Sequence, residues 1–187
     1  MAKNGAPARR GPNDPDRPGR IARAAITVIA EQGIEALTHR KVAATAGVPL
    51  GSTTYHFASL DDLLAAALDQ AAARSVAQLR AWDRELARDV DLAPELADFV
   101  LASITEQRAD TVAEYNLYAV ALHRPNLRGA AAAWDEALAE VFIARTDRVT
   151  GKMIATLTCG LLMQAVLDDA VPSRAELERL FARALAC

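Results

Sequence analysis

The sequence predicts an all-α fold: an N-terminal three-helix head holding a helix-turn-helix, then a larger helical body, about nine helices altogether. Three observations carry this. Apolar residues recur at spacings of three and four along most of the chain. Alanine is abundant and β-branched runs are absent, which disfavours strands. Gly33, Gly47, Pro94, Pro125 and Pro172 punctuate the periodic stretches.

The first helix is expected from Arg17 to Gln32, with Ile21, Ala24, Ala25, Val28 and Ile29 on one face and Gly33 at its left-handed end. A short segment (IEAL) leads to Thr38, which caps a brief second helix, His39 to Ala46, with Val42 and Ala43 inward. Gly47 ends that helix, and a third short one follows over 50–57. Ser59, with Asp62 as its capping-box partner, opens a long fourth helix. Its stripe of Leu64, Leu68, Ala71, Ser75, Leu79, Trp82 and Leu86 carries it to about Arg88. Further helices are expected over 94–108, 110–123, 127–145, 148–169 and 173–186, the last with a second capping box, Ser173 and Glu176. Residues 1–16 are rich in Gly, Pro and charge and are expected to form a disordered basic arm.

The net charge of -3 hides an asymmetry. Residues 1–58 hold eight Lys/Arg against four acids, whereas the remainder holds 13 against 20. A basic end on an acidic body suggests that only the first third approaches a polyanion. Arg9, Arg10 and Arg17 are candidates for an adjacent minor groove, with a solvated tail as the alternative. Cys159 and Cys187 make neither a disulfide framework nor a metal-ligand spacing. The start has no apolar signal segment, and the uncharged stretch Met153 to Leu167 is short for a bilayer, so a cytoplasmic protein without a membrane span is expected. No metal or cofactor is implied.

Residues 38–60, THRKVAATAGVPLGSTTYHFASL, combine the parts of a helix-turn-helix. Gly47 supplies the sharp turn, while Val42, Val48 and Phe57 supply an apolar lock. Arg40, Lys41, Ser52, Thr54, Tyr55 and His56 supply outward donors. A second helix held in this way can lie in the major groove while the first crosses the backbone.

From Gly33 to Leu64 the sequence resembles the tetracycline-repressor (TetR) family of bacterial regulators. Gly33, Thr38, Val42-Ala43, Ala46-Gly47-Val48, Gly51-Ser52, His56-Phe57, Ser59 and Leu63-Leu64 carry the resemblance, in that order. It implies a DNA-binding domain over 17–62 and an effector-binding and dimerisation domain over 63–187. Carried over by position, Arg40 reaches a base edge or phosphate, and Leu50, Gly51, Ser52 and Thr54 line the groove face. Tyr55 and His56 bond phosphates. Thr38 either bonds a phosphate or only caps its helix, and Lys41 is a phosphate contact or a solvated charge. Four positions depart from the family pattern. Pro49 stands for a frequent Ser, Thr53 for a buried aliphatic, Thr54 for a frequent Tyr and Leu60 for a phosphate-binding Lys.

The resemblance further implies a homodimer on a near-palindromic, double-stranded operator, with a small-molecule effector releasing it. The last two helices would pair, through Leu157, Gly160, Leu161, Gln164, Leu177, Leu180 and Phe181. The run MIATLTCGLLMQAVL, apolar nearly all round, is expected to be buried on more than one side. Trp82, Phe99, Gln107, Tyr115, Tyr118, His123, Trp134, Phe142 and Met153 are candidates for an effector pocket, with plain core packing as the alternative for each. Two rival functions remain at this stage. One is a helical adaptor that binds only protein. The other is an enzyme acting on an apolar small molecule, disfavoured because the three histidines are scattered and no nucleophile or metal set is visible.

Overall fold

The structure, a computed structural model, describes residues 14–168 and 171–186. Among them are nine α-helices: α1 (Arg17–Gln32), α2 (His39–Ala46), α3 (Leu50–His56), α4 (Leu60–Glu85), α5 (Leu92–Thr105), α6 (Arg108–His123), α7 (Arg128–Ile143), α8 (Arg148–Leu167) and α9 (Arg174–Leu185). Two 3-10 turns, Ile34–Ala36 and Pro125–Leu127, complete the chain path, and no strand occurs among the described residues. Most of the expected arm lies outside the described residues. Its last part does not hang free: Asp14 pairs with Arg20 at 2.9 Å and its carbonyl accepts the amide of Arg17, so residues 14–16 lead directly into α1.

The helices start and stop where local chemistry dictates. Ser59 Oγ accepts the amide of Asp62 while the Asp62 carboxylate accepts the amide of Ser59, a complete capping box at the start of α4. Ser173 caps α9 through the Glu176 amide, and Asp147 caps α8 through the amides of Val149 and Thr150. The fourth helix stops at Glu85, short of the expected Arg88. The cause is remote in sequence. The guanidinium of Arg145, after α7, pairs with the Asp83 carboxylate and donates to the carbonyls of Asp83, Leu86 (3.3 Å) and Ala87 (2.9 Å); the Asp83 carbonyl is the acceptor the Ala87 amide would have used in a further turn.

Two cores meet along α4. The first joins Ile21, Val28, Ile29, Val42, Phe57, Leu63, Leu64 and Leu68 of the head to Leu117 and Ala121 of α6, Leu127 and Trp134. The head therefore shares its apolar interior with the body rather than closing on itself. The second core gathers Leu79, Leu96, Val100, Ile104, Phe142, Ile154, Leu177 and Phe181. Here α9 lies against α5, pinned outside by Arg174 to Asp98 (2.6 and 2.7 Å). That pairing holds the Asp98 carboxyl below its usual range, chiefly through the hydrogen bond from Arg174.

Helix α8 departs from expectation. An 18-residue window of this 20-residue helix has a mean hydropathy of 1.3, which by length and composition alone would suit a membrane span, yet only 28 % of that window is buried within the chain. It buries Gly151, Ile154, Ala155 and Thr158 and leaves its C-terminal half largely open, with Leu167 80 % exposed. Leu177 and Phe181 are corrected in the opposite sense. Both are fully buried in the second core, so of the apolar positions expected to meet a partner on α9 only Leu180 keeps surface. The spacing 177, 181, 184 is the inward face of this helix, and Leu180 lies off it.

Candidate functional site: the outer face of the head and the body cavity

The helix-turn-helix is built by short-range forces. Thr38 Oγ1 accepts the Lys41 amide at 3.2 Å and starts α2. Gly47, at φ 64°, takes the left-handed position that ends it, and the amides of Gly47 and Val48 satisfy the carbonyls of Ala44 and Ala43. Val42 is fully buried, while Val48 and Leu60 pack as half-buried neighbours of the first core. Pro49 stands just before α3 with extended backbone, where its missing amide proton costs nothing.

Thr53 is fully buried with its hydroxyl donating to the Leu50 carbonyl at 2.8 Å. That internal bond lets a polar side chain sit where an aliphatic is usual. Leu60 spends its side chain on the core instead of on a phosphate. The outward surface of α3 carries Leu50 (45 % exposed), Gly51, Thr54 and Tyr55 (84 % exposed), with Ser52 and His56 half-buried. The Tyr55 ring stands edge-on to His56 at 5.1 Å, and Thr54 bonds back to the Gly51 carbonyl at 3.3 Å. On α2, Arg40 is exposed, whereas Lys41 donates to Gln32 Oε1 at 2.8 Å and so leans towards the end of α1.

In the body, a cavity of about 730 Å³ runs between α4, α5, α6, α7 and α8. Seven of the nine expected residues line it: Trp82, Phe99, Gln107, Tyr115, Tyr118, Trp134 and Phe142. Trp82 packs against Phe99 at 5.2 Å and Phe142 at 6.4 Å, and Tyr118 lies edge-on to Trp134 at 6.0 Å. Two expectations fail. His123 is exposed at the C-terminal end of α6, beyond the cavity. Met153 is half-buried on α8 before the first lining residue of that helix, Ala155, and the methionine that lines the cavity is Met163.

Composition and periodicity missed the acidic character of this wall. Glu85, Glu95, Asp98, Asp110, Glu114 and Asp135 line it, and no lysine or arginine is among the lining residues. Some of these charges are already matched: Asp98 by Arg174 and Asp110 by Arg74, the latter through two guanidinium nitrogens. Asp135 accepts the Tyr118 hydroxyl at 2.8 Å. Glu114 has no bound cation of its own; burial, only partly offset by the nearby Arg74 charge, pushes its carboxyl up to about 7. Tyr115 donates to the Cys159 carbonyl at 2.9 Å, and burial drives its phenol far above the usual range. Burial also pushes the Cys159 thiol up to about 11, which leaves it a weak nucleophile. A signal for the acids was present in the sequence, because Asp110 and Glu114 stand one turn apart on the same helix as Tyr115 and Tyr118.

The two halves match known families separately. Residues 21–67 match the family model described as bacterial regulatory proteins, tetR family, and residues 87–186 match the tetracyclin repressor-like C-terminal domain. No curated protein matches the chain. Among solved structures, the multidrug binding protein EbrR complexed with imidazole is 42 % identical, with a TM-score of 0.80, covering 92 % of this chain and 96 % of that one. EbrR complexed with ethidium is 40 % identical, with a TM-score of 0.79 and coverage of 90 % and 98 %. A TetR-family member from Streptomyces coelicolor A3, SCO1917, is 41 % identical, with a TM-score of 0.79 and coverage of 91 % and 99 %. A helix-turn-helix head, an aromatic body cavity and end-to-end likeness to such proteins together make this chain a member of the TetR family of DNA-binding regulators, with a ligand-binding C-terminal domain.

Proposed function

We propose that the chain is a homodimeric repressor that releases a near-palindromic operator when an aromatic, cationic molecule occupies its body cavity. The acid-rich, aromatic cavity carries the reading. Rings held edge-on or tilted to one another favour apolar, aromatic ligands and attract cations by their faces. Carboxylates without a lysine or arginine among them favour positive charge. EbrR, 40 % identical, is described as a multidrug binding protein and is seen with ethidium, a cation of this kind.

On the head, Arg40, Leu50, Gly51, Ser52 and Thr54 face the base edges, and Thr38, Lys41, Tyr55 and His56 hold the phosphates and set register. Pairing of two chains uses the open half of α8 and the outer edge of α9, through Leu157, Gly160, Leu161, Gln164 and Leu180. The cavity acts as a binding site, and its Cys159, held as a thiol, is a poor nucleophile. The protein works in the cytoplasm, where the DNA is.

The test starts with selection of bound sequences from random DNA, followed by retardation of the recovered site. Arg40→Ala and Tyr55→Ala should each weaken binding by about 1–3 kcal/mol. Tetraphenylphosphonium, a bulky cation that does not intercalate, should release the DNA, and a neutral aromatic of similar size should not. Equal release by the neutral compound would remove the cationic part of the proposal, and absence of any selected site would remove the repressor itself.

A further inference from the structure

Glu114 occupies an unusual place in the cavity. It lines the cavity from α6, next to Tyr115 in the chain and one turn before Tyr118, within the acidic wall. Its surroundings are set by every helix around it. From α4 come Arg74 and the Ser75 hydroxyl, both of which favour its charged form. From α6 itself come Asp110 and the two tyrosines, from α7 Asp135, and from α8 Cys159. Across the cavity, α5 contributes Glu95 and Asp98. The cation nearest to it is committed elsewhere: Arg74 forks onto Asp110, with Nη1 to Oδ1 at 3.0 Å. A carboxylate at Glu114 would therefore face like charges without a free counter-ion, in a site that is largely out of water.

We propose that effector binding to this cavity is proton-linked, with Glu114 giving up its proton as a cationic ligand docks against it. This rests on the cationic-effector reading above. The exchange balances: the neutral carboxyl and the cation become a carboxylate–cation pair, and one proton leaves to solvent. No covalent bond to the ligand forms. The ligand supplies the counter-ion that Arg74 withholds, so the charge cost falls on the empty state and is lifted in the filled one. Tyr118 and Cys159 in the same wall do not imitate this between pH 6 and 8. Burial pushes Tyr118 up to about 12 and Cys159 up to about 11.

Ethidium is the probe, because its charge is fixed across this range and its fluorescence reports binding to protein without DNA. For a group titrating near 7 in the empty cavity, the affinity of the intact protein should rise about tenfold from pH 6 to pH 8. Glu114→Gln should bind weakly at both values with no slope, whereas Glu114→Asp should retain a slope. Calorimetry on the unmutated protein gives an independent reading. At pH 7 about half a proton should be released per ethidium bound, seen as a heat that varies with the ionisation enthalpy of the buffer. Ethidium that binds equally at pH 6 and pH 8, or a slope that survives in Glu114→Gln, overturns the linkage and leaves the effector class standing. Failure of ethidium to bind at any pH overturns both.

Discussion

A single carboxyl can be read for what it does to the empty protein as well as to a ligand. Burial raises Glu114 from the ordinary range to about 7. The folded chain therefore holds more protons than the unfolded chain between about pH 4.5 and pH 7, and its stability falls as pH rises through that window. Above pH 7 the penalty is fully present, worth up to about 3 kcal/mol. Glu114→Gln removes the ionisation and should stabilise the ligand-free protein at pH 8 while changing little at pH 4.5. Urea denaturation at the two pH values checks this, and an equal effect at both would contradict it. Thr53 and Leu60 make a related point on the head. Both differ from the family pattern, and both prove to serve the interior, one by bonding the Leu50 carbonyl and the other by joining the first core. In the proposed function the DNA-facing chemistry then falls chiefly to Arg40, Ser52, Tyr55 and His56.

At the scale of helices, local signals were enough wherever the forces were local. The bounds of α1 and α2 follow from Gly33, Thr38 and Gly47, and the start of α4 from Ser59 and Asp62. The end of α4 was not legible, because Arg145 sets it from sixty residues away. Seven of the nine pocket candidates do line the cavity, but of these only Tyr115 and Tyr118 were distinguished from plain core, by a polar tip on a largely apolar helix. His123 and Met153 were not separable from them, since which turn of a helix borders a cavity depends on how the helices cross. The close crossing of α7 and α8 was likewise invisible. A Cβ on Gly151 would meet the Ile143 backbone at 2.6 Å, whereas one on Gly129 or Gly160 would meet nothing within 4 Å. Gly151→Ala should therefore destabilise the fold by about 1–3 kcal/mol through forced separation of the two helices. Gly129→Ala, on the open side of α7, should be neutral or stabilise by up to about 1 kcal/mol. Thermal melts of the two variants side by side decide it, and similar melting temperatures would contradict the tight crossing.

For the whole molecule, the shared core explains how occupancy of the body can be felt at the head. Helix α6 contributes Tyr115 and Tyr118 to the cavity wall and Leu117 and Ala121 to the core that holds α1 and α4. At its far end Arg124 pairs with Asp61 in the first turn of α4, at 3.1 Å. One helix thus touches both the cavity and the base of the DNA-binding unit, which gives a ligand-driven shift of α6 a direct path to the head. A single head, however, meets only one groove. Two must stand roughly 34–36 Å apart to engage successive major grooves on one face, and in the proposed dimer the uncovered part of α8 fixes that spacing. An apolar helix with 28 % of its window buried is poorly placed against water and well placed against a second copy of itself. Leu161→Glu combined with Gln164→Glu puts four like charges across such a pairing while leaving the fully buried Leu177 and Phe181 untouched. Sedimentation should then show a folded monomer with unchanged helical circular dichroism, and operator affinity should fall at least a hundredfold as the two half-sites lose their tether. A variant that still sediments as a dimer would move the interface to another face, and one that is monomeric yet binds the full operator as tightly as before would break the connection between pairing and DNA recognition.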